Sequence, residues 1–353
     1  MSQPENLIEF MLTQGNGVKG LSQLKLAELP QKFVQPPSER LDGIKVAEGK
    51  SIPVIDVSDW ENPSVAHSIC EAATKWGFFQ IFNHGIPVEV LDDVIQCAHD
   101  FFELPVDERM KYLPENSPTE TVTLKSSFSA RVDDYMDWKD HLVHLVDHRV
   151  EKEFEFWPAV TRDRMSCYVS WARLIIKKLL QTLMKGIKVE EIDEDKQRSL
   201  MGVLAASLVY YPECPRPDLA VGSDRHADLS SITLLLQDDV GGLYARANTD
   251  QEEWVFVAPT KGALIVNVGD TLQILSNGKY QSIEHRVFLT GSTNRVSVPI
   301  FANALTNSII GPLPEALGHC EKPKYKHVVF GDYFKHFLSK GQDGKKTINF
   351  AAI

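Results

Sequence analysis

The 353-residue chain is 43% hydrophobic and 24% charged, long and apolar enough to bury a large core in one big domain or two ordinary ones. Its formal net charge of −11 opposes non-specific binding to nucleic acid or an anionic membrane, and no apolar run approaches the ~20 residues needed to span a bilayer. Five scattered cysteines without a CxxC predict reduced thiols, and Glu5 and Glu9 stand where a signal peptide wants a basic start, so the expected compartment is the cytoplasm.

In chain order, "NLIEFMLTQ" (6–14) reads as a helix, so "GNGVKG" (15–20) matches G-x-G-x-x-G without the strand-then-helix context of a dinucleotide site. "IPVIDV" (52–57) and "GFFQIFNH" (77–84) read as strands, and His84 in "FNHGIP" reads as turn chemistry rather than as a ligand. "VAHSICEAATKWG", "EVLDDVIQCAHDFFEL" and "RMSCYVSWARLIIKKLLQTLMKGI" space apolar residues at three and four, as amphipathic helices do. Near residue 200 the period changes. "AASLVYYP", "SSITLLLQD", "GGLYARA", "EWVFVAP", "GALIVNVGD", "QSIEHRVFL" and "RVSVPIFAN" are short strands separated by turns, which predicts an antiparallel jelly roll. The expected class is α+β, with a mainly helical domain over 1–200, a jelly-roll domain over 201–305, and a tail with a helix over 306–353 packing near the mouth of the site.

"RHAD" places His226 two positions before Asp228, where alternate residues of a strand share a face, and His285 in "SIEHRVF" falls on a later strand. Two histidines and one carboxylate form the facial triad of non-haem Fe(II), whereas the zinc alternative usually brings an H-E-x-x-H that is absent here. Arg295 and Ser297 share one face of "NRVSVPIF". A buried guanidinium requires an anion, either a carboxylate of the chain itself or an acid that chelates the metal with its other end. Phe301, four residues beyond Ser297, is the candidate for stacking on a substrate ring, with plain core packing as the alternative.

"WGFFQIFNHGIP", "YYPECPRPDL", "RHAD", "EHRV" and "NRVSVP" together resemble the plant 2-oxoglutarate- and Fe(II)-dependent dioxygenase superfamily over essentially the whole chain. The resemblance implies a double-stranded β-helix, with Fe(II) held by His226, Asp228 and His285 as the catalytic centre and 2-oxoglutarate held by Tyr211, Arg295 and Ser297. It also implies O2 as co-substrate and ascorbate as supporting reductant. One departure is Val209, where the family commonly has the Asn of Asn-Tyr-Tyr-Pro. "GNGVKGL", "FVQPPSER", "SSFS" followed by "WKDHL", "GPLPE" and "DGKKTINFA" resemble the coumarin-forming group, which includes feruloyl-CoA and p-coumaroyl-CoA ortho-hydroxylases and coumarin 8-hydroxylases. The expected function is ortho-hydroxylation of such a CoA thioester leading to coumarins, with a scopoletin 8-hydroxylase or a non-catalytic binding protein as alternatives. Phe128 and Phe301 are the expected substrate contacts, and Lys125, Arg131, Lys345 and Lys346 are candidates to meet the anionic CoA arm. The expected partners are thus a small aromatic molecule and O2, with neither nucleic acid nor membrane.

Overall fold

The structure, a computed structural model, describes residues 6–127, 135–146, 154–246, 252–291, 293–318, 321–340 and 344–353. Phe128 and Arg131 therefore lie outside the described residues.

The chain opens with helices α1 (Leu7–Leu12) and α2 (Gly17–Gln23), followed by strands β1 (Lys45–Val46) and β2 (Val54–Asp56). Helix α3 (Pro63–Lys75), β3 (Phe78–Phe82), α4 (Val88–Glu103) and α5 (Val106–Met110) lead to a hairpin of β4 (Val122–Ser126) and β5 (Asp140–Val146). The long α6 (Ala159–Gly186) and short α7 (Glu194–Met201) precede β6 (Val203–Tyr211), β7 (Val221–His226), β8 (Ile232–Gln237), β9 (Leu243–Arg246), β10 (Glu253–Phe256) and β11 (Leu264–Val268). Helix α8 (Asp270–Leu275), β12 (His285–Phe288), β13 (Arg295–Asn303) and α9 (Phe330–Lys340) complete the frame.

Two open sheets face each other. The larger has eight strands in the order β2-β3-β11-β8-β13-β6-β5-β4, and the smaller has five in the order β1-β10-β9-β12-β7. Between them lies a core of Phe78, Val209, Tyr211, Leu235 and Ile265 from the first sheet against Leu243, Ala245, Val255 and Val287 from the second. This is a jelly roll whose sheets do not close into a barrel, and the class is α+β as expected from the sequence.

The alternation along β13 shows how one strand serves two environments. Val296, Val298, Ile300 and Ala302 point outward into a core shared with α3, α4 and α6, while Arg295, Ser297 and Phe301 point between the sheets. Outer apolar packing carries the burial of the strand, so its inner positions are free to be polar. Four strands of the large sheet, β2 to β5, come from the first 200 residues, and β4 and β5 were not anticipated from the sequence. In β5, "DHLVHLV", His and Asp fall on both faces, which hides the period of two.

"GNGVKG" has a structural use. Both Asp140 oxygens, at the start of β5, accept the backbone N–H groups of Val18 and Lys19 at 2.9 and 2.8 Å, seating the start of α2 on the large sheet. Gly17 has a φ of +70°, and a Cβ there would lie 2.7 Å from the Asp140 carboxylate oxygens.

Candidate active site

β7 and β12 are neighbours in the small sheet, and their register places His226 directly opposite His285. The expectation that His226 and Asp228 share a strand face needs correction. β7 ends at His226, and Asp228 lies in the turn that follows, entering β8. The turn still brings the carboxylate inward: Asp228 Oδ1 lies 3.8 Å from His226 Nε2 and 3.6 Å from His285 Nε2. Ligand atoms of the three residues all fall within 4.8 Å of one another, the one such grouping among the described residues.

His226 and Asp228 are held in the form a cation needs. His226 Nδ1 lies 2.7 Å from the Asp224 carbonyl, which only accepts, so the ring proton sits on Nδ1 and the Nε2 lone pair faces inward. Burial drives the His226 pKa down to about 3, aided by the His285 ring, so the imidazole is neutral at neutral pH. Burial alone would raise the Asp228 pKa, but the two imidazoles and hydrogen bonds from Thr233 and Asn267 outweigh it and hold the carboxyl below its ordinary value. Those bonds, at 2.6 and 3.1 Å, both reach Oδ2 and leave Oδ1 to the imidazoles. Two nitrogens and one oxygen on one side of a cation are the donor set of non-haem Fe(II).

The second station lies along β13. Arg295 is 3% exposed, and its guanidinium carbon lies 4.8 Å from the Tyr211 ring centroid. Its Nη2 donates to Gln237 Oε1 at 3.0 Å, while Nε and Nη1 are buried without a hydrogen-bond partner among the described residues. The nearby Asp238 does not fill that role, because its carboxylate accepts the backbone N–H groups of Val296 and Val240. Two orphaned donors of a buried cation fit the free carboxylate of a dicarboxylic acid whose other end reaches the triad. Ser297 sits two residues along on the same face, directly opposite Val209 on β6. The residues present therefore fit both Fe(II) and 2-oxoglutarate.

Phe301 is half-buried on that inner face, opposite Thr233, the residue that bonds Asp228. It thus stands beside the triad. His84 does not approach the triad: its Nε2 lies 2.9 Å from the Gly262 carbonyl and its Nδ1 accepts from Ile86 N, the turn role expected of it. Lys125 is exposed on β4, and Lys346 is exposed near the C-terminus.

Lys345 overturns its expected place at an open entrance. Its ammonium is drawn into the fold, donating to Gln273 Oε1 at 2.6 Å and to the Ser282 carbonyl, and desolvation lowers its pKa. The preceding Gly344 bridges to His226, so this segment is a strap behind the metal strand.

Sequence reasoning missed the carboxylate's supports Thr233 and Asn267, the arginine's partner Gln237, and a polar group on the β4–β5 hairpin formed by Asp137, Lys139 and His141. The available signal was the cluster "DWKDH" beside an unrecognised strand.

Comparison with known proteins agrees with this geometry. Residues 204–304 match the 2OG-Fe(II) oxygenase superfamily, and residues 52–160 match the family described as non-haem dioxygenase in morphine synthesis N-terminal. A bi-functional coumaroyl CoA and feruloyl CoA ortho-hydroxylase of Ipomoea batatas is 50% identical over 98% of this chain and 96% of its own length. Feruloyl CoA ortho-hydroxylase 1 of Arabidopsis thaliana is 46% identical over 100% of this chain and 97% of its own. Among solved structures, JOX2 in complex with 2OG, Fe and JA superimposes with a TM-score of 0.84 at 30% identity, covering 96% of this chain and 97% of that one.

Proposed function

The chain belongs to the 2OG-Fe(II) oxygenase superfamily and is an Fe(II)- and 2-oxoglutarate-dependent dioxygenase, and on that premise we propose that it hydroxylates the ring of p-coumaroyl-CoA and feruloyl-CoA ortho to the side chain. After side-chain isomerisation the new hydroxyl attacks the thioester carbonyl, the C–S bond breaks and coenzyme A leaves as the free thiol, giving umbelliferone or scopoletin. The observation that carries the substrate class is identity of 46–50% to coumaroyl and feruloyl CoA ortho-hydroxylases along nearly the whole chain. The observation that carries the chemistry is the partly unsatisfied Arg295 guanidinium, whose Nε and Nη1 lack hydrogen-bond partners among the described residues, on the inner face that also leads to the triad.

In this reading His226, Asp228 and His285 hold the iron, and Arg295 holds the distal carboxylate of 2-oxoglutarate through guanidinium N–H groups that have no partner among the described residues. Ser297 adds a hydroxyl donor to the same carboxylate, and the Tyr211 ring supports the guanidinium from below. When bound, iron and 2-oxoglutarate supply an oxidant from O2, with succinate and CO2 as co-products. The chain's part is to hold geometry and exclude water. Phe301 offers its face to the substrate ring beside the triad. Val209 stands opposite Ser297 where the family commonly has an amide, and the loss of that amide loosens or re-aims the co-substrate. Residues 1–200 act as the frame, 201–305 as the catalytic core and 306–353 as the closing tail. No helix among the described residues is long and apolar enough to cross a membrane, and we place the enzyme in the cytoplasm.

Incubation with Fe(II), 2-oxoglutarate, ascorbate and, in parallel, p-coumaroyl-CoA, feruloyl-CoA, ferulic acid and scopoletin tests the reading. The expected result is one added oxygen on the CoA esters, with coumarin release and stoichiometric succinate. Hydroxylation of scopoletin with no turnover of either ester would overturn the substrate assignment.

A further inference from the structure

We propose that Lys139 and His141 form a recognition site for the free hydroxyl on the substrate's aromatic ring. The proposal rests on the phenylpropanoid reading above and names the residues that set its ring specificity.

The placement follows from register. His141 on β5 lies opposite Val209 on β6, and Val209 lies opposite Ser297 on β13, so all three face between the sheets. Lys139 precedes His141 by two residues, and its ammonium crosses to the metal-bearing sheet. There it donates to Ser223 Oγ at 2.9 Å, three residues before His226 on β7. The same wall therefore adjoins both the co-substrate strand and the triad.

Two of these groups are left incomplete by the protein. His141 is 9% exposed, its Nδ1 is buried without a partner, and the ring makes no hydrogen bond among the described residues. Val209 opposite it is apolar and offers none. Lys139 is 7% exposed; its ammonium donates to Ser223 Oγ and forms an ion pair with Asp137 Oδ2 at 2.9 Å, and among the described residues Ser223 is its one hydrogen-bond partner. Orphaned buried polar atoms cost about 1–3 kcal/mol each, and their persistence at a site points to a ligand.

The chemistry selects a hydroxyl. Burial drives the His141 pKa down to about 3, aided by the Lys139 and Lys125 ammoniums, so the imidazole is neutral. Lys139 only donates; a neutral imidazole offers an acceptor nitrogen as well as a donor. A phenol accepts from Lys139 and donates to His141, completing both, whereas an ether or carbonyl oxygen can only accept. Depth gives the same answer. Lys139 and His141 are buried, while Lys125, opposite His141 on the edge strand β4, has an exposed side chain whose ammonium is only partly desolvated. A CoA ester must leave its long arm toward solvent, so the ring end, and not the thioester, occupies the buried end.

Matched phenol and methyl-ether substrates test this: p-coumaroyl-CoA against 4-methoxycinnamoyl-CoA, and scopoletin against its 7-methyl ether. Each pair is assayed with the wild-type enzyme, His141→Phe, and the double variant Asp137→Asn/Lys139→Met, which removes the ion pair without stranding a carboxylate. Substrate-independent succinate formation reports whether each variant still holds iron and 2-oxoglutarate. The wild type should prefer the phenol about 30-fold or more in kcat/KM. Both variants should bring that preference within about threefold while keeping basal succinate formation, and His141→Asn should restore part of it. A wild-type enzyme indifferent to methylation, or variants that keep full discrimination, would overturn the proposal. If no CoA ester is turned over, the substrate reading fails, and the scopoletin pair then decides this proposal independently.

Discussion

His226 and His285 pair directly across β7 and β12, with ring centroids 4.3 Å apart, so two of the three proposed metal ligands are set by the hydrogen-bond register of the small sheet. Only Asp228 comes from a turn, and Thr233 and Asn267 of the large sheet fix it. The triad therefore spans both sheets.

Replacing His226, Asp228 or His285 by Ala removes one of three protein ligands. Each variant should lose iron, measured by metal analysis after gel filtration, and should fall below about a hundredth of wild-type turnover, in line with the cost of disrupting a metal site. His84→Ala should retain its iron, since that ring serves a turn. An iron-free His84→Ala protein would place the metal elsewhere.

Arg295→Lys keeps a charge but loses the planar guanidinium and its several fixed N–H donors. The KM for 2-oxoglutarate should rise about tenfold or more, while iron content stays at the wild-type level. Gln237→Ala, which removes only the guanidinium's internal partner, should give a smaller rise. An unchanged KM in Arg295→Lys would exclude this residue as the co-substrate anchor.

Lys345 and Lys346, adjacent in sequence, should respond differently to substitution. Lys346→Glu alters an exposed charge and should leave the melting temperature unchanged. Lys345→Glu would set a third acid beside Asp270 and Glu284, where an ammonium now bonds Gln273 and Ser282, at a cost of about 2 kcal/mol or more in stability. Equal melting curves for the two variants would show that the strap is not held by this residue.

Acid should destabilise the fold through His144, which is fully buried, contacts Thr161 at 3.2 Å and stacks edge-on against Trp157. Burial drives its pKa down to about 3, against 6.5 for the free imidazole. Between those values the unfolded chain carries the extra proton, so the contribution is complete above pH 6.5 and declines as pH falls. The slope is about 1.4 kcal/mol per pH unit for one such group. Urea midpoints measured from pH 7 to 4 should fall less steeply in His144→Gln by close to one proton's worth. An identical slope would mean that His144 is protonated in the folded state.

Most of the candidate site could be read from the sequence because its residues lie on strands with strong outer packing. Arg295 and Ser297 alternate with Val296 and Val298, and that contrast marks a polar inner face before any coordinates are known. The same logic failed at β5, where His144 and Asp140 on the outer face answer to Thr161 and to α2 rather than to an apolar core. Tertiary partners decided those positions, and local alternation could not announce them. Lys345 was misjudged for a related reason, since a lysine with a buried ammonium and one with a solvated ammonium look alike in a sequence.

The seat of α2 on Asp140 has a consequence for exchanging parts between relatives. Asp140 adjoins both Lys139 and His141, so the residues that orient the aromatic ring share a short strand segment with the one that receives the N-terminal arm. A chimaera joined between residue 20 and β4 would mate one parent's arm to the other's hairpin, and any side chain at position 17 would put its Cβ 2.7 Å from the Asp140 carboxylate oxygens. Crossovers after β5 leave that contact intact. Substrate preference should therefore be inherited as a block that begins near residue 16, far upstream in sequence from any residue that touches iron.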